Sequence, residues 1–324
     1  MLRALGLGDF LTGVPAYRAL AAGFPGCEIV LAAPAALAPL ATLTGAIDRV
    51  LPSGELEPVS WSGTAPVVAA DLHGNGPASH RIVTALGAET TMMFRSPAAP
   101  DVAGPHWDDS EHEVTRWCRL AEWWGLAADP AALALARPPQ RPVAPGAVVI
   151  HPGAASGSRR WPARRFAAVA QVLSAAGHPV VITGTGGERS LAQEVARLAG
   201  LPSRSVLAGR TGLAGLAALV AGAALVISND TGAAHLAVAF GTPSVTLFGP
   251  VSPRLWGPPP GCGRHVALWK GTGSRPGDAH GAEPDPRLLR IRAADVLSAA
   301  GALLAVPAAA APSAARAGPS RQPM

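Results

Sequence analysis

The segment L-V-I-S-N-D-T-G-A-A-H-L-A-V-A-F-G-T-P-S-V-T-L-F-G-P, residues 225–250, predicts a strand, a short polar loop, a helix, a turn and a second strand. Residues 225–227 and 244–248 are apolar runs of the kind found in buried parallel strands. Gly241 and Pro243 end the helix between them, because proline cannot continue it. Small residues after a strand, followed by a helix start, direct backbone N–H groups at an anion. The segment therefore predicts a site for a phosphate-bearing ligand.

Strand and helix alternate in the same way through the second half of the chain. Strands are predicted at residues 147–150, 179–184 and 205–207, and helices at residues 162–176, 187–198, 213–220 and 285–304, with an irregular stretch at 257–286. Strict alternation predicts a parallel sheet with helices on both faces. Ligands of such sheets bind outside the carboxyl ends of the strands, so the loops that follow the strands are the candidate site.

The first half of the chain shows this pattern less regularly. Strands are predicted at residues 2–7, 28–32, 48–51 and 66–71, and helices at residues 10–22, 35–44, 79–86 and 108–125. Residues 137–146, R-P-P-Q-R-P-V-A-P-G, contain four prolines, which leave no room for a helix or a central strand. At 324 residues, two domains are expected. We predict Rossmann-like domains at residues 1–140 and 146–304, and a disordered tail at residues 305–324.

Composition limits the classes of function. The chain is 49% hydrophobic and 15% charged, which suits a buried parallel sheet. Its net charge is +5, but no arginine stripe with aromatic platforms occurs, so a nucleic-acid partner is not expected. The spacing of Cys27, Cys118 and Cys262 predicts neither a disulfide framework nor a zinc site.

The chain start resembles a signal peptide, but Asp9 interrupts the apolar run and no clean cleavage site follows. Residues 213–227 are apolar but shorter than a membrane span. We therefore predict a cytoplasmic protein without a transmembrane segment, and a peripheral membrane contact stays open.

Four parts of the chain together resemble the heptosyltransferase-like glycosyltransferase family 9. They are G-L-G-D-F-L-T-G-V-P (residues 6–15), H-P-G-A-A-S-G-S-R-R-W-P (151–162), G-T-G-G-E (184–188), and N-D-T-G-A-A-H-L-A-V-A-F-G-T-P (229–243) with L-F-G-P-V-S-P-R-L-W-G-P (247–258). The resemblance covers about residues 2–300, and the last part is the most specific.

The resemblance implies an α/β protein of the GT-B fold, in which two Rossmann-like, doubly wound parallel-sheet domains face a cleft. It also implies an inverting glycosyltransferase that needs no metal and no cofactor. The donor would be a nucleotide sugar on the second domain, with ADP-heptose the usual one. The acceptor would be a hydroxyl of a glycan, a lipid-linked molecule or a small molecule on the first domain.

Two residues are candidates for the chemistry. The family places an aspartate like Asp9 in its opening loop, and an inverting transfer needs a carboxylate to take the acceptor's proton. The alternative is that Asp9 caps the following helix. Arg159 stands where the family carries a basic residue facing the departing diphosphate, whose charge a guanidinium stabilises. Its alternative is a solvated surface arginine, which is also the interpretation of Arg160, Arg164 and Arg165.

The candidates for donor binding are Gly8, Ser158, Glu188, Asp230, Thr231, Gly232 and His235. Thr231 and Gly232 N–H groups suit phosphate, whereas a carboxylate would repel it, so Asp230 suits sugar hydroxyls. Glu188 suits ribose hydroxyls. The alternatives are helix caps for Asp230 and Thr231, a first-turn glutamate for Glu188 and a packed histidine for His235.

His73, Asn75 and His80 follow a predicted strand of the first domain and are candidates for acceptor binding. The residues Trp117, Trp123 and Trp124 are interpreted as helix packing, and Trp161 and Trp256 as residues that frame the cleft.

Three other functions stay open. One is a different GT-B enzyme, either a nucleotide-sugar epimerase or a hexosyltransferase. Another is an NAD-dependent oxidoreductase, although the turn at residues 6–8 lacks the third glycine of the dinucleotide fingerprint. The third is a catalytically silent nucleotide-sugar sensor, against which the presence of Asp9 argues.

Overall fold

The structure is a computed structural model that describes residues 1–272 and 277–305. Its strands are β1 (Val30–Ala33), β2 (Arg49–Pro52), β3 (Val68–Ala70), β4 (Thr90–Met92), β5 (Val148–His151), β6 (Val180–Ile182), β7 (Leu225–Asn229), β8 (Ser244–Leu247) and β9 (His265–Leu268). Its α-helices are α1 (Leu7–Thr12), α2 (Val14–Gly23), α3 (Ala38–Ala41), α4 (Ala78–Thr84), α5 (Glu113–Trp123), α6 (Ala163–Ala175), α7 (Arg189–Leu198), α8 (Leu213–Ala221), α9 (Gly232–Ala239), α10 (Pro253–Trp256), α11 (Pro286–Leu289) and α12 (Ala293–Ala305).

The second half of the chain forms a five-stranded parallel sheet in the order β6-β5-β7-β8-β9. The central strand β7 is buried along its whole length, as its apolar sequence predicts. It pairs with β5 so that Val148 faces Leu225 and His151 faces Ser228. The carboxyl ends of β5 and β7, and the loops that follow them, therefore lie side by side at one edge of the sheet.

The first half of the chain has shorter strands. It forms two parallel pairs, β1 with β2 and β3 with β4. Leu2 joins the two pairs through isolated parallel bridges to Ala32 and Asp71. All four strands precede residue 93 and the five-stranded sheet begins at Val148, so residues 137–146 separate the two sheet systems. The domain boundaries at 140 and 146 remain a prediction.

The predicted strand at residues 2–7 is wrong beyond Leu2. Helix α1 begins at Leu7, and the Phe10 N–H donates to the Gly6 carbonyl over 3.0 Å. Asp9 consequently lies in the first turn of the helix, and Gly6 is the residue that precedes the helix. A carboxylate in the first turn interacts favourably with the helix dipole. This interaction helps to stabilise α1, a helix of six residues between Gly6 and Gly13. The alternative that Asp9 is a helix cap is therefore wrong.

Other differences concern short elements. The predicted strand at residues 205–207 is a 3₁₀ turn, Ser203–Ser205, followed by an isolated bridge between Val206 and Ile182. Strands β4 and β9 were not predicted, and residues 285–304 form two helices, α11 and α12. Of the predicted tail, residues 306–324 lie outside the described residues.

Helix α1 of the first half packs against α9 of the second half at close range. A methyl group at Gly232 would lie 2.7 Å from Leu7, and one at Gly8 would lie 3.1 Å from the His235 ring. One hydrophobic cluster accordingly contains Phe10 of the first half together with Val149 and Leu236 of the second. Because these glycines have no side chains, the first turns of α1 and α9 approach each other closely. The loops that precede the two helices therefore lie side by side.

Within residues 1–272 and 277–305, no helix is both long enough and apolar enough to cross a membrane.

Candidate functional site

A cleft of about 830 Å³ lies between α1 and the carboxyl edge of the five-stranded sheet. It is lined by Gly6, Leu7, Gly8, Asp9, His151, Ala154, Ala155, Arg159, Arg160, Thr185, Gly187, Glu188, Asp230, Thr231, Gly232, His235, Val251, Trp256, Ala279 and His280. Most of the predicted site residues are in this set, although they come from four separate parts of the sequence. The edge of the sheet is where ligands of parallel α/β sheets bind.

Asp9 lines the cleft from the first half of the chain, and its side chain is 30% exposed. Burial raises the pKa of its carboxyl group, although the Arg3 charge opposes this shift. The sequence left open whether the helix start would lower this pKa or burial would raise it. Because burial has the larger effect here, Asp9 binds a proton more readily than an ordinary exposed aspartate.

Asp230 lines the cleft from the second half, at the point where β7 gives way to α9. The residue is 7% exposed, and burial raises the pKa of its carboxyl group to about 6. The nearby Arg159 charge counteracts part of this effect. Because water hardly reaches the Asp230 carboxylate, a ligand that donates hydrogen bonds to it would stabilise its charged form.

Thr231 precedes α9 in extended conformation, but its side chain does not cap the helix. Its hydroxyl oxygen is buried and has no hydrogen-bond partner within the part of the chain that the structure describes. Thr231 and Gly232 both line the cleft, next to Asp230. The site thus combines a buried hydroxyl with the first backbone N–H groups of a helix, an arrangement that suits an anionic group.

The loop after β5 carries two arginines to the cleft. The Arg159 side chain donates to Ser156 Oγ over 3.3 Å, and Arg160 donates to the Ala154 carbonyl over 2.9 Å. Arg160 lines the cleft and is exposed, so its interpretation as a solvated surface arginine stays a prediction. The loop therefore places two positive charges in the cleft that Asp9 also lines.

Asn229 holds this arginine-bearing loop against the end of β7. Its amide nitrogen donates to the Pro152 carbonyl over 2.8 Å, and its amide oxygen accepts the Trp161 backbone N–H over 3.1 Å. The side chain is completely buried. Asn229 was not predicted as a site residue, although it precedes Asp230 directly. Its fully buried amide links the end of β7 to the loop after β5.

Glu188 lines the cleft, but its carboxylate already has partners. Glu188 Oε2 accepts the Thr185 backbone N–H over 2.7 Å and the Thr185 hydroxyl over 3.0 Å. The carboxylate also lies so close to Gly153 that any side chain there would displace it. The contacts match the alternative of a glutamate at a helix start, so its proposed contact with ribose hydroxyls stays a prediction.

Ser158 is not among the residues that line the cleft. It is 3% exposed, its backbone N–H donates to the Gly281 carbonyl over 2.8 Å, and its own carbonyl accepts the Asp285 N–H over 3.1 Å. Gly157, next to it, lies against the Ala282 carbonyl where a side chain would not fit. Residues 281–285 therefore cover Ser158. Its side chain is not placed to contact a ligand in the cleft.

His235 and Trp256 both line the cleft, with ring centroids 6.1 Å apart, and the His235 ring lies next to Gly8. Burial lowers the pKa of His235 to about 4, so its ring is neutral at pH 7. His112 of the first half reaches the same region, where its Nε2 lies 3.0 Å from the Gly257 carbonyl. Trp256 lines the cleft as predicted, whereas Trp161 is buried against Phe166 and does not.

The predicted acceptor residues follow β3 in the first half and are not among the cleft-lining residues. The backbone N–H of His73 donates to Asp71 Oδ1 over 2.9 Å. Burial lowers the pKa of the His73 ring. His73 lies close enough to Asp9 for the carboxylate charge to affect this pKa. Asn75 is partly exposed in the same loop. Of the helix tryptophans, Trp117 is buried as predicted, whereas Trp123 is 61% exposed.

Among the described residues, no group of three or more His, Cys, Asp or Glu side chains is arranged to hold a metal ion.

Comparison with known proteins identifies the class. Escherichia coli ADP-heptose LPS heptosyltransferase II superposes with a TM-score of 0.74 at 21% identity, over 94% of this chain and 97% of that structure. Escherichia coli heptosyltransferase WaaC with ADP gives 0.67 at 19% identity, over 93% and 98%. The fold is therefore GT-B, two Rossmann-like domains facing a cleft.

The family follows from the sequence. Residues 101–272 match the model of glycosyltransferase family 9 (heptosyltransferase), and the chain belongs to this family. Lipooligosaccharide heptosyltransferase 2 of Haemophilus influenzae is 32% identical over 111 residues, which are 33% of this chain and 32% of that relative. The chain thus matches about a third of the length of this curated relative. The resemblance and the fold class inferred from the sequence are confirmed.

Proposed function

We propose that this protein is an inverting glycosyltransferase that moves a heptose from an ADP-linked donor to an acceptor hydroxyl. The observation that carries the proposal is the composition of the cleft. A partly exposed carboxylate with a raised pKa, Asp9, faces it from the first domain, and Arg159, Arg160 and Asp230 face it from the second. Inverting transfer needs a base on one side of the anomeric carbon and charge stabilisation on the other.

In the proposed reaction the Asp9 carboxylate takes the proton of the acceptor hydroxyl. The hydroxyl oxygen forms a bond to the anomeric carbon of the sugar while the bond from that carbon to the diphosphate oxygen breaks. The electron pair of the breaking bond goes to the diphosphate, and the Arg159 guanidinium stabilises its growing charge. Attack opposite the leaving group inverts the anomeric carbon.

On the donor side, we propose that Thr231 and Gly232 bind phosphate through their backbone N–H groups. Asp230, which is nearly desolvated, accepts hydrogen bonds from the sugar hydroxyls. Gly8 and His235 define the space beside the donor, and Glu188 is assigned to the ribose end. The choice of donor is supported by the relatives, since one neighbouring structure is a heptosyltransferase with ADP-2-deoxy-2-fluoro heptose.

On the acceptor side, His73 and Asn75 are proposed to contact a glycan, a lipid-linked molecule or a small molecule that approaches Asp9. The proposed reaction takes place in the cytoplasm, and a lipid-linked acceptor would be met by a peripheral contact with the membrane.

The proposal assigns the diphosphate charge to arginines rather than to a metal. Sugar transfer should therefore continue at an undiminished rate after treatment with EDTA.

The test is a thermal-shift panel of ADP, UDP, GDP, their sugars and NAD on the purified protein and on Arg159→Ala, with Arg164→Ala as the matched control. We expect ADP and ADP-heptose to raise the melting temperature, and Arg159→Ala to reduce both shifts. A selective response to UDP-sugars or GDP-sugars would favour a different GT-B enzyme, and a response to NAD alone would reject the proposal. Incubation with ADP-heptose and candidate acceptors then separates an enzyme from a sensor, which binds without releasing ADP.

A further inference from the structure

Arg3 is completely buried next to the first turn of α1, within residues 2–7, for which the sequence predicts a strand. Its guanidinium donates to the backbone carbonyls of Asp9 and Leu72. It also donates to Thr12 Oγ1 over 3.1 Å and to Glu113 Oε1 over 3.0 Å. One side chain therefore ties the turn that carries Asp9 to the end of β3 and to the start of α5.

Glu113 is the acidic partner of Arg3 and is itself 5% exposed. Besides Arg3, it accepts a hydrogen bond from the Trp117 indole over 2.7 Å and one from the Arg116 guanidinium. The Arg3 guanidinium in turn lies 4.6 Å from the centroid of the Trp117 ring. Both buried charges are therefore paired and hydrogen-bonded, which is the condition under which buried charges persist.

Such a pair is weak evidence of a contribution to stability, because desolvation of two charges offsets much of their attraction. Its position relative to Asp9 is more informative. Arg3 bonds the main-chain carbonyl of Asp9, whereas the distance from Arg3 Nη2 to Asp9 Oδ1 is 4.0 Å. The contact fixes the backbone that carries the carboxylate and leaves the carboxylate itself directed to the cleft.

We propose that Arg3 and Glu113 are positioning residues for Asp9, which hold its carboxylate at the cleft in the geometry and charge environment needed to accept a proton. The inference rests on the proposed role of Asp9 as the base. Neither Arg3 nor Glu113 lines the cleft, so neither is expected to contact the donor.

Several charged or titratable groups face Asp9. They are Arg3 before α1, Tyr17 on α2, His73 after β3, Glu113 on α5 and, beyond Gly8, the neutral ring of His235 on α9. Arg3 lowers the pKa of the Asp9 carboxyl group and Glu113 raises it. The two substitutions should therefore move the pKa of Asp9 in opposite directions.

The first experiment is the pH dependence of kcat/KM in Glu113→Gln, which removes one negative charge and keeps the size of the side chain. We expect the acidic limb of the profile to move to lower pH by roughly 0.5 to 1 unit. Arg3→Met should move the limb to higher pH. Glu122→Gln, the same substitution at an exposed position of α5, is the matched control and should leave the limb in place.

The second experiment separates geometry from charge. Arg3→Lys keeps the positive charge but loses the planar set of donors that reaches two carbonyls and Glu113. We expect kcat to fall at least about 10-fold, as for a displaced general base, while the KM for the donor stays within 3-fold. If Glu113→Gln does not fold, Arg3→Lys alone decides the question.

Failure of the inference can be told from failure of the proposed function. If Asp9→Asn keeps full activity, the role of Asp9 is wrong. If Asp9→Asn is inactive but Arg3→Lys is unchanged in kcat, or the limb does not move in Glu113→Gln, the positioning role is overturned. Carbon NMR titration of the Asp9 carboxyl group in folded Glu113→Gln measures its pKa directly, without an activity assay. We expect a lower pKa than in the unmodified protein, and an unchanged pKa also overturns the inference.

Discussion

Asp9 and Asp230 face one cleft from opposite domains, and burial raises the pKa of both carboxyl groups. Their surroundings differ. Asp9 lies next to the buried pair of Arg3 and Glu113, whereas the charge of Arg159, on the neighbouring loop of the same domain, counteracts the effect of burial on the pKa of Asp230. The pKa of the first carboxyl group is set by burial and by the charges of Arg3 and Glu113, without any ligand. The second is poorly solvated, and we propose that hydroxyl groups of the donor sugar supply the hydrogen bonds that it lacks.

The strongest test of this difference is Asp9→Asn, which keeps the shape and removes the base. We expect kcat to fall by roughly 10² to 10⁴, the usual contribution of a positioned general base. Donor affinity should stay within several-fold, because Asp9 is proposed to act on the acceptor. Turnover kinetics and calorimetry measure the two quantities, and full activity of Asp9→Asn would contradict the assignment.

The next test concerns the positive charge of Arg159 in the same cleft. Arg159→Ala should lower kcat by roughly 10² to 10³, as loss of one preorganised donor to a developing charge does. Arg159→Lys should recover part of this loss, since it restores the charge without the planar geometry. Arg164→Ala removes an exposed arginine from the following helix and serves as the control. Equal losses in the two alanine variants would show that only overall charge matters.

Asp230→Asn should stabilise the protein while it weakens the binding of the donor sugar. The pKa of Asp230 rises from 3.8 to about 6 on folding, so the folded state holds the proton more tightly and the charge destabilises it above that range. Asparagine should raise the free energy of unfolding by up to about 3 kcal/mol at pH 7.5, and by about half of that at pH 5.

Urea unfolding at the two pH values measures this effect, and Asp101→Asn at an exposed position is the control. Calorimetry with ADP-heptose and with ADP should show a larger loss of affinity for the nucleotide sugar. No gain in stability, or equal losses for the two ligands, would contradict the view that Asp230 is kept desolvated for the sugar.

The smallest expected effect concerns the contact that brings the two carboxylates to one cleft. In Gly232→Ala the new methyl group lies 2.7 Å from Leu7, and we expect a loss of roughly 1 to 3 kcal/mol in the free energy of unfolding. Gly301→Ala places a methyl group in open space within α12 and should raise stability by up to about 1 kcal/mol. Similar results for both would mean that α1 and α9 are free to separate.

The sequence predicted the second domain better than the first, for physical reasons. In the second domain β5, β6, β7 and β8 are buried apart from His151, and the loops after β5 and β7 lead into helices, so the loops with Arg159 and Asp230 could be identified from local pattern. The partly buried β9 was not predicted. In the first domain α1 is short and flanked by glycines, and packing against α9 decides its conformation. Local sequence does not reveal that contact.

The polar residues at and behind the site that sequence reasoning missed depend on distant contacts. Asn229 and Arg3 are buried polar residues whose partners lie more than 60 residues away in several cases. Ser158 was assigned to the donor because of its place beside Arg159, but residues 281–285 cover it. A spacing pattern shows which loops meet, and it does not show which side chains another segment will cover.

The hydrophobic cluster that contains Phe10, Val149 and Leu236 crosses from one domain to the other. Two domains with separate cores would melt independently, whereas a shared core makes loss of one domain expose apolar surface of the other. Scanning calorimetry should accordingly record a single cooperative transition for the whole chain. A mutation that weakens the first domain would then also lower the melting temperature of the second domain.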